Sequence, residues 1–331
     1  MINLRVIVSA LAIAMFGGGA GAQQPVKLRA AYIVPGVNMF SIFTAKPELL
    51  KHHGKSYVLD AVRYQATPLM VTALAVGELD IALLNSTSLA LGVENAGLDD
   101  LRIFADEFRD GVEGYHTNLF MVRNADGPKT AAEVKGKVVA TNALGSMVDI
   151  AARAYLRKAG LEEKRDYTMV EAQLATMKAL LFEKKIDVAF GAPPFLYDPE
   201  LQANARVLFS NRDAMGPAEL GIWGARDAFL KKNRAAVIDF LEDTMRVTRW
   251  FTDPANNAEA TKIAADSAKV PEALFKGWVF TKRDYYRDPG LLPDVAAIQA
   301  NIDLQASVGF VKGKIDAKKY IDLSYIEAAK G

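Results

Sequence analysis

Leu79-Asp80-Ile81-Ala82-Leu83 and Ile186-Asp187-Val188-Ala189-Phe190 are two versions of one local pattern, an apolar run interrupted by a single aspartate at its second position. Each follows a stretch with apolar residues at helical spacing, and each runs into a loop of small or polar residues. A short apolar run placed in this way reads as a buried strand of a parallel sheet. Its recurrence implies two similar half-lobes. Outward from this pair, short β-branched runs alternate with helical stretches, which makes the chain α/β with mostly parallel sheets. The predicted strands are Val26–Val34, Tyr57–Tyr64, Ile81–Leu84, Leu101–Phe104, Leu119–Arg123, Lys137–Thr141, Tyr167–Val170, Val188–Phe190, Arg206–Phe209 and Leu220–Ala225. From Ser146, the residues Val148, Ala151, Ala152, Tyr155, Leu156 and Ala159 form one apolar stripe that Gly160 ends, the mark of an amphipathic helix. After about residue 226 the strand signals stop and helical patterns fill a C-terminal segment.

Composition removes several functional classes. The 331 residues are 51% hydrophobic and 24% charged, with 40 Lys and Arg against 39 Asp and Glu. A net charge of +1 supplies no field of one sign to hold nucleic acid, so no nucleic-acid partner is expected. The absence of cysteine excludes disulfides, zinc thiolates, a thiol nucleophile and a lipid-bearing cysteine. At the N-terminus Arg5 precedes the apolar run Val6 to Phe16 and the small residues Ala20-Gly21-Ala22, which reads as a secretory signal peptide over residues 1–22. Cleavage after Ala22 would leave Gln23–Gly331 and discard Gly17-Gly18-Gly19-Ala20-Gly21-Ala22, a false dinucleotide-binding loop that follows no strand. No later run approaches the length of a membrane span.

Catalytic signals are sparse. No G-x-S-x-G elbow, H-E-x-x-H pair, calcium loop or P-loop occurs. Of three histidines, His52 and His53 read as the solvated end of a Lys-rich helix and His116 stands alone. No metal, cofactor or catalytic residue is expected. Two loops suit binding better, because ligands of open parallel sheets collect at the carboxyl ends of strands. Asn85-Ser86-Thr87-Ser88 and Thr141-Asn142-Ala143-Leu144-Gly145-Ser146-Met147 each lead into a helix whose first N–H groups form an anion site. The plainer reading of Ser86 and Ser146 is that each only caps its helix, a contribution of about 1 kcal/mol.

Four segments, in this order and spacing, resemble the periplasmic solute-binding proteins of ABC importers, in the group that handles nitrate, sulfonates, taurine and thiamine-precursor pyrimidines. They are Ala73-Leu74-Ala75-Val76-Gly77-Glu78-Leu79-Asp80-Ile81-Ala82, Ala131-Ala132-Glu133-Val134-Lys135-Gly136-Lys137-Val138-Val139-Ala140, Tyr155-Leu156-Arg157-Lys158-Ala159-Gly160-Leu161 and Lys185-Ile186-Asp187-Val188-Ala189. The resemblance implies a two-lobed, type II-like periplasmic binding protein fold, with 23–118 plus 222–331 as lobe one and 119–221 as lobe two. It implies a monomer that closes on a small solute and hands it to an ABC transporter permease in the inner membrane, from the periplasm of a Gram-negative cell. By position, the family's ligand contacts fall on Pro35, Asn38, Met39, Phe40, Asn85, Ser86, Thr87, Gly145, Ser146, Met147, Pro193 and Phe195. Gly191-Ala192-Pro193-Pro194-Phe195 departs from the family's Trp-Asp-Pro type loop and leaves the solute open among sulfonate, carboxylate and pyrimidine, with nitrate least suited to apolar loops. Phe40, Phe195, Tyr115 and Trp223 are candidates for an aromatic wall, each also readable as core. Arg109 is the arginine expected to meet an anion, unless it pairs with Asp106 or Asp110. An enzyme on the same fold and a sensor subunit are the alternatives.

Overall fold

The computed structural model describes residues 24–330, so the expected signal peptide lies outside the described residues. Among the described residues, ten strands alternate with eleven α-helices. The strands are β1 (Val26–Tyr32), β2 (Tyr57–Arg63), β3 (Ala82–Leu84), β4 (Leu101–Asp110), β5 (Leu119–Arg123), β6 (Val138–Thr141), β7 (Thr168–Glu171), β8 (Val188–Gly191), β9 (Ala205–Ser210) and β10 (Ala218–Arg226). The helices are α1 (Thr67–Ala75), α2 (Ser86–Ala96), α3 (Met147–Lys158), α4 (Met177–Phe182), α5 (Pro199–Asn204), α6 (Asn211–Met215), α7 (Asp227–Lys232), α8 (Arg234–Thr252), α9 (Asn257–Ala268), α10 (Val295–Ser307) and α11 (Ser324–Ala329).

Two apolar cores organise these elements. The first contains residues between Leu28 and Phe108 together with Ile222 to Ile326, and the second runs from Phe120 to Phe209. β5 to β9 form one five-stranded sheet in the order β7-β6-β8-β5-β9. In the first core β1 pairs with β2 in parallel and touches the chain just before β3 through the parallel bridge Ala30–Ile81. The parallel pairing read from the sequence holds there and for β6 with β7 and β8. The sheets are nevertheless mixed: β10 lies antiparallel between β3 and β4, and β5 lies antiparallel between β8 and β9. These exceptions arise where the chain passes between cores. β5 is the first strand after the chain leaves the first core and β10 the first after it returns, so neither is laid down by a local βαβ crossover.

Each predicted strand is present with ends displaced by no more than two residues, except β4, which continues six residues past Phe104. Charge in Ala105-Asp106-Glu107-Phe108-Arg109-Asp110 hides that extension from a hydrophobic pattern, yet Asp106, Glu107 and Asp110 are all buried. Glu107 accepts the Met39 N–H at 2.6 Å and the Trp223 indole N–H at 2.7 Å. Asp110 accepts the Asn118 N–H at 2.8 Å and the Asn211 amide at 2.5 Å. Buried carboxylates are tolerable only with such partners. Burial still pushes both carboxyls up, Asp110 to about 6.

The amphipathic stripe from Val148 is α3, ended by Gly160 at a positive φ. The histidine pair departs from its reading. No α-helix covers 46–56, only a 3₁₀ turn at Pro47–Leu49. His53 packs against Tyr57 and accepts the Leu59 N–H, while His52 meets Glu242 at 2.9 Å.

Candidate functional site

The C-terminal ends of β1 and β3 in the first core, and of β6 and β8 in the second, face a common cavity of about 80 Å³. On the scale of one water per roughly 10–15 Å³ this holds a solute of a few heavy atoms. Its apolar wall comes from both cores, through Val34, Val37, Leu83 and Phe108 on one side and Leu174 and Phe190 on the other. Tyr285, from the C-terminal segment, closes one side.

Three helix starts reach this cavity. Thr67 opens α1, Asn85 is the N-cap of α2, and Ser146, Met147 and Val148 begin α3. Each start carries unpaired N–H groups and about half a positive charge. The α2 start is capped by Asn85 and Ser88 reciprocally, not by Ser86: Asn85 Oδ1 accepts the Ser88 N–H at 2.8 Å, and Ser88 Oγ accepts the Asn85 N–H at 2.8 Å. With its oxygen so engaged, Asn85 has its Nδ2 amide left for the cavity. Asn142 Nδ2 likewise has no protein partner among the described residues. Asn118 accepts the Tyr285 hydroxyl at 2.5 Å. At α3, Ser146 accepts the Asp149 N–H, and the buried Asp149 is held by Gly145 N–H and Arg153. Among the described residues, no charged side chain lines the cavity. It therefore offers N–H donors and apolar surface, a combination suited to an acceptor-rich group on an apolar body.

A second cavity of about 350 Å³ adjoins the first, with Ile33, Val34, Asn142 and Leu174 common to both. Pro193 faces the inner chamber, and Pro194 and Phe195 face the outer one.

The residues expected at a site divide accordingly. Asn38, Asn85, Ser146, Met147 and Pro193 line the inner chamber, and Pro35 and Phe195 the outer. Asn38 acts mainly as a loop former, accepting the Ile33 and Val34 N–H groups and donating to Glu107. Met39, Phe40, Ser86, Thr87 and Gly145 are not among the lining residues. Phe40 stacks on Trp223 with centroids 4.4 Å apart, so both belong to the first core. Tyr115 packs edge-on against Tyr286. Ser86 is fully buried, with its Oγ 3.3 Å from Asn301 Oδ1. Gly145 needs its positive φ, but an added Cβ there would meet open space. Arg109 is also withheld from the site. It pairs with the buried Glu219 at 2.8 Å and lies 3.6 Å from the buried Asp106, and burial pushes the Glu219 carboxyl up to about 7 against the pull of Arg109.

Sequence reasoning missed Thr67, Asn118, Asn142, Phe190 and Tyr285. Each comes from a different segment, and of these only Asn142 lies in a loop already singled out. It also missed a tertiary grouping of His52, Asp239 and Glu242, whose ligand atoms lie within 4.8 Å of one another away from the cavity lining. His116 is buried against Tyr285 and Tyr197, and desolvation lowers its imidazole to about 4. Among the described residues no helix is long and apolar enough to cross a membrane.

Comparison with known proteins places the fold. The alkanesulfonate-binding protein SsuA from Xanthomonas axonopodis pv. citri, bound to MOPS, is 19% identical over 91% of this chain and 99% of its own, with a TM-score of 0.70. The periplasmic nitrate-binding protein NrtA from Synechocystis PCC 6803 is 15% identical over 92% and 89%, also at 0.70. The desulfurization enzyme DSZB is 11% identical over 92% and 99%, at 0.64. No curated protein is similar enough in sequence to count as a relative. At such identities the likeness establishes the fold, which is the two-lobed fold of periplasmic binding proteins. The NMT1-like family model matches residues 21–265, and the chain belongs to that family.

Proposed function

We propose that this protein is the solute-binding component of an ABC importer, capturing a small organic anion, a sulfonate or carboxylate with an apolar body, and delivering it to a permease in the inner membrane. The observation that carries this reading is the inner cavity, where three helix starts and free amide donors converge against apolar walls, with no charged side chain lining it among the described residues. Donors without acceptor carboxylates select against cations, and a bare nitrate would leave the apolar surface unused. Because its walls come from both cores, a solute there binds the closed arrangement better than an open one, which is the energetic requirement for ligand-driven closure. We read the lobes as 23–118 plus 222–331 and 119–221, a division that the two cores favour, and the protein as an exported monomer, residues 23–331, that acts in a Gram-negative periplasm.

A thermal-shift screen of residues 23–331 against alkyl sulfonates, aromatic and aliphatic carboxylates, and pyrimidines tests the reading. A solute at about 100 times its Kd stabilises by about 2.7 kcal/mol, a shift of a few degrees. Anions shift the melting temperature and are recovered chemically unchanged. No shift from any anion would sink the proposal. Turnover is the second reading, kept because a neutral buried His116 abuts Tyr285 at the cavity wall. Loss of the recovered solute would favour it.

A further inference from the structure

The outer chamber differs from the inner one in both size and charge. At about 350 Å³ it is the larger, and among the described residues it carries the single ionic side chain lining either chamber, Arg63. Arg63 is the last residue of β2, at the same strand ends that frame the inner cavity. Its Nε–H donates to the Ile33 carbonyl at 3.2 Å, which anchors the guanidinium at the rim. Among the described residues no carboxylate lies within ion-pair distance of it, whereas Arg29, Arg109, Arg123, Arg153 and Arg287 are all paired with acids. Gln65 stands two residues further along the chain, and Gln173 faces the same chamber from the second core. The nearby acid on β7, Glu171, accepts the Leu144 N–H and is not among the lining residues.

A guanidinium with free N–H groups at a concave rim is the complement of a carboxylate, sulfonate or phosphate group. We propose that the outer chamber is a second anion subsite, so that the preferred solute is an extended dianion: one acidic group at the helix starts, an apolar middle along Val34 and Leu174, and a second acidic group at Arg63, flanked by Gln65 and Gln173. This rests on the binding function proposed above, and it narrows the solute class from organic anions in general to those charged at both ends.

Calorimetric titration of residues 23–331 with matched pairs, hexanoate against adipate and pentanesulfonate against a sulfonate of equal length ending in a carboxylate, reads the subsite directly. The dianion of a pair binds about tenfold more tightly than the monoanion, as expected for one charge-assisted contact. In Arg63→Met the ratio falls to about one, and Arg63→Lys retains part of it. Arg63 is exposed, so unliganded melting temperatures verify that the variants fold. Equal affinities within each pair in the unaltered protein, or an unchanged ratio in Arg63→Met, would overturn the second subsite while leaving anion binding intact. Binding of neither member would remove the anion reading itself, and the subsite with it.

Discussion

Asp80 and Asp187, the aspartates of the two echoed segments, hold their sheets in the same way and to different depths. In the first core Asp80 Oδ2 accepts the Arg29 N–H of β1 at 2.9 Å, and its two oxygens grip the Arg29 side chain at 2.8 and 2.6 Å. In the second core Asp187 accepts the Val138 N–H of β6 at 3.1 Å and pairs with Arg123 of β5 at 3.2 Å. Each aspartate thus ties its own strand to a neighbouring backbone and to an arginine. The arginines differ, because Arg29 is 37% exposed and Arg123 is 10% exposed. Arg123 also donates to the Leu181 and Ile186 carbonyls, the very turn that delivers the chain to β8. A repeated motif therefore marks a repeated mechanical task, and burial sets how much each copy contributes.

The largest expected effect follows from that difference. Arg123→Ala takes the arginine donor from two carbonyls and from two carboxylates, Asp126 and Asp187, in a mostly buried setting and is expected to cost about 3 kcal/mol. Arg29→Ala removes a solvent-screened pair and costs about 1 kcal/mol or less. Urea unfolding of both variants decides the matter. Equal losses would break the claim that depth separates the two staples.

The segment joining the cores sharpens the comparison, since it is where one buried base sits among buried acids. Desolvation keeps His116 neutral in the fold, with its imidazole lowered to about 4 from the usual 6.5. The unfolded chain takes up that proton first, so the contribution of His116 is complete above about pH 6.5 and is lost as pH falls towards 4. Asp110 acts oppositely: its raised carboxyl favours the fold at low pH and loses that advantage as pH rises to about 6. Between pH 7.5 and 4.5 the unaltered protein should lose about 2–3 kcal/mol more stability than His116→Gln. Parallel pH profiles would show that the joint is solvated and that His116 titrates normally.

Reading the sequence reached the scaffold further than the site. Strand ends and α3 were legible because apolar spacing reports burial of one face, and that signal is local. β4 was truncated because Asp106, Glu107 and Asp110 break the apolar pattern, although Glu107 and Asp110 are satisfied by partners far away in the chain, Trp223 and Asn211. Phe40 had the look of a ligand wall, beside a polar loop, but its stacking on Trp223 involves a residue from β10. The cavity was half visible for a related reason. Asn85 and Ser146 carry the local signature of helix caps, whereas Asn118 and Tyr285 meet only through the tertiary fold.

The two helix-start loops give the smallest and most discriminating test. The loop before α2 is locked by a reciprocal cap within the first core, while the loop before α3 turns through Gly145 at a positive φ. Glycine at that position resembles a device for close approach of a ligand, and a bulky replacement would then abolish binding. The structure separates the two roles, since an added Cβ at Gly145 meets nothing and the residue is not among those lining the chamber. Gly145→Ala should therefore cost about 1 kcal/mol of stability through backbone strain while changing affinity for an anion by less than about twofold. Ser146→Ala, at the start of α3 itself, should weaken both by removing the cap on Asp149 and loosening the first turn. A Gly145→Ala variant that folds but binds no solute would place the loop backbone inside the site and make the two helix starts equivalent after all.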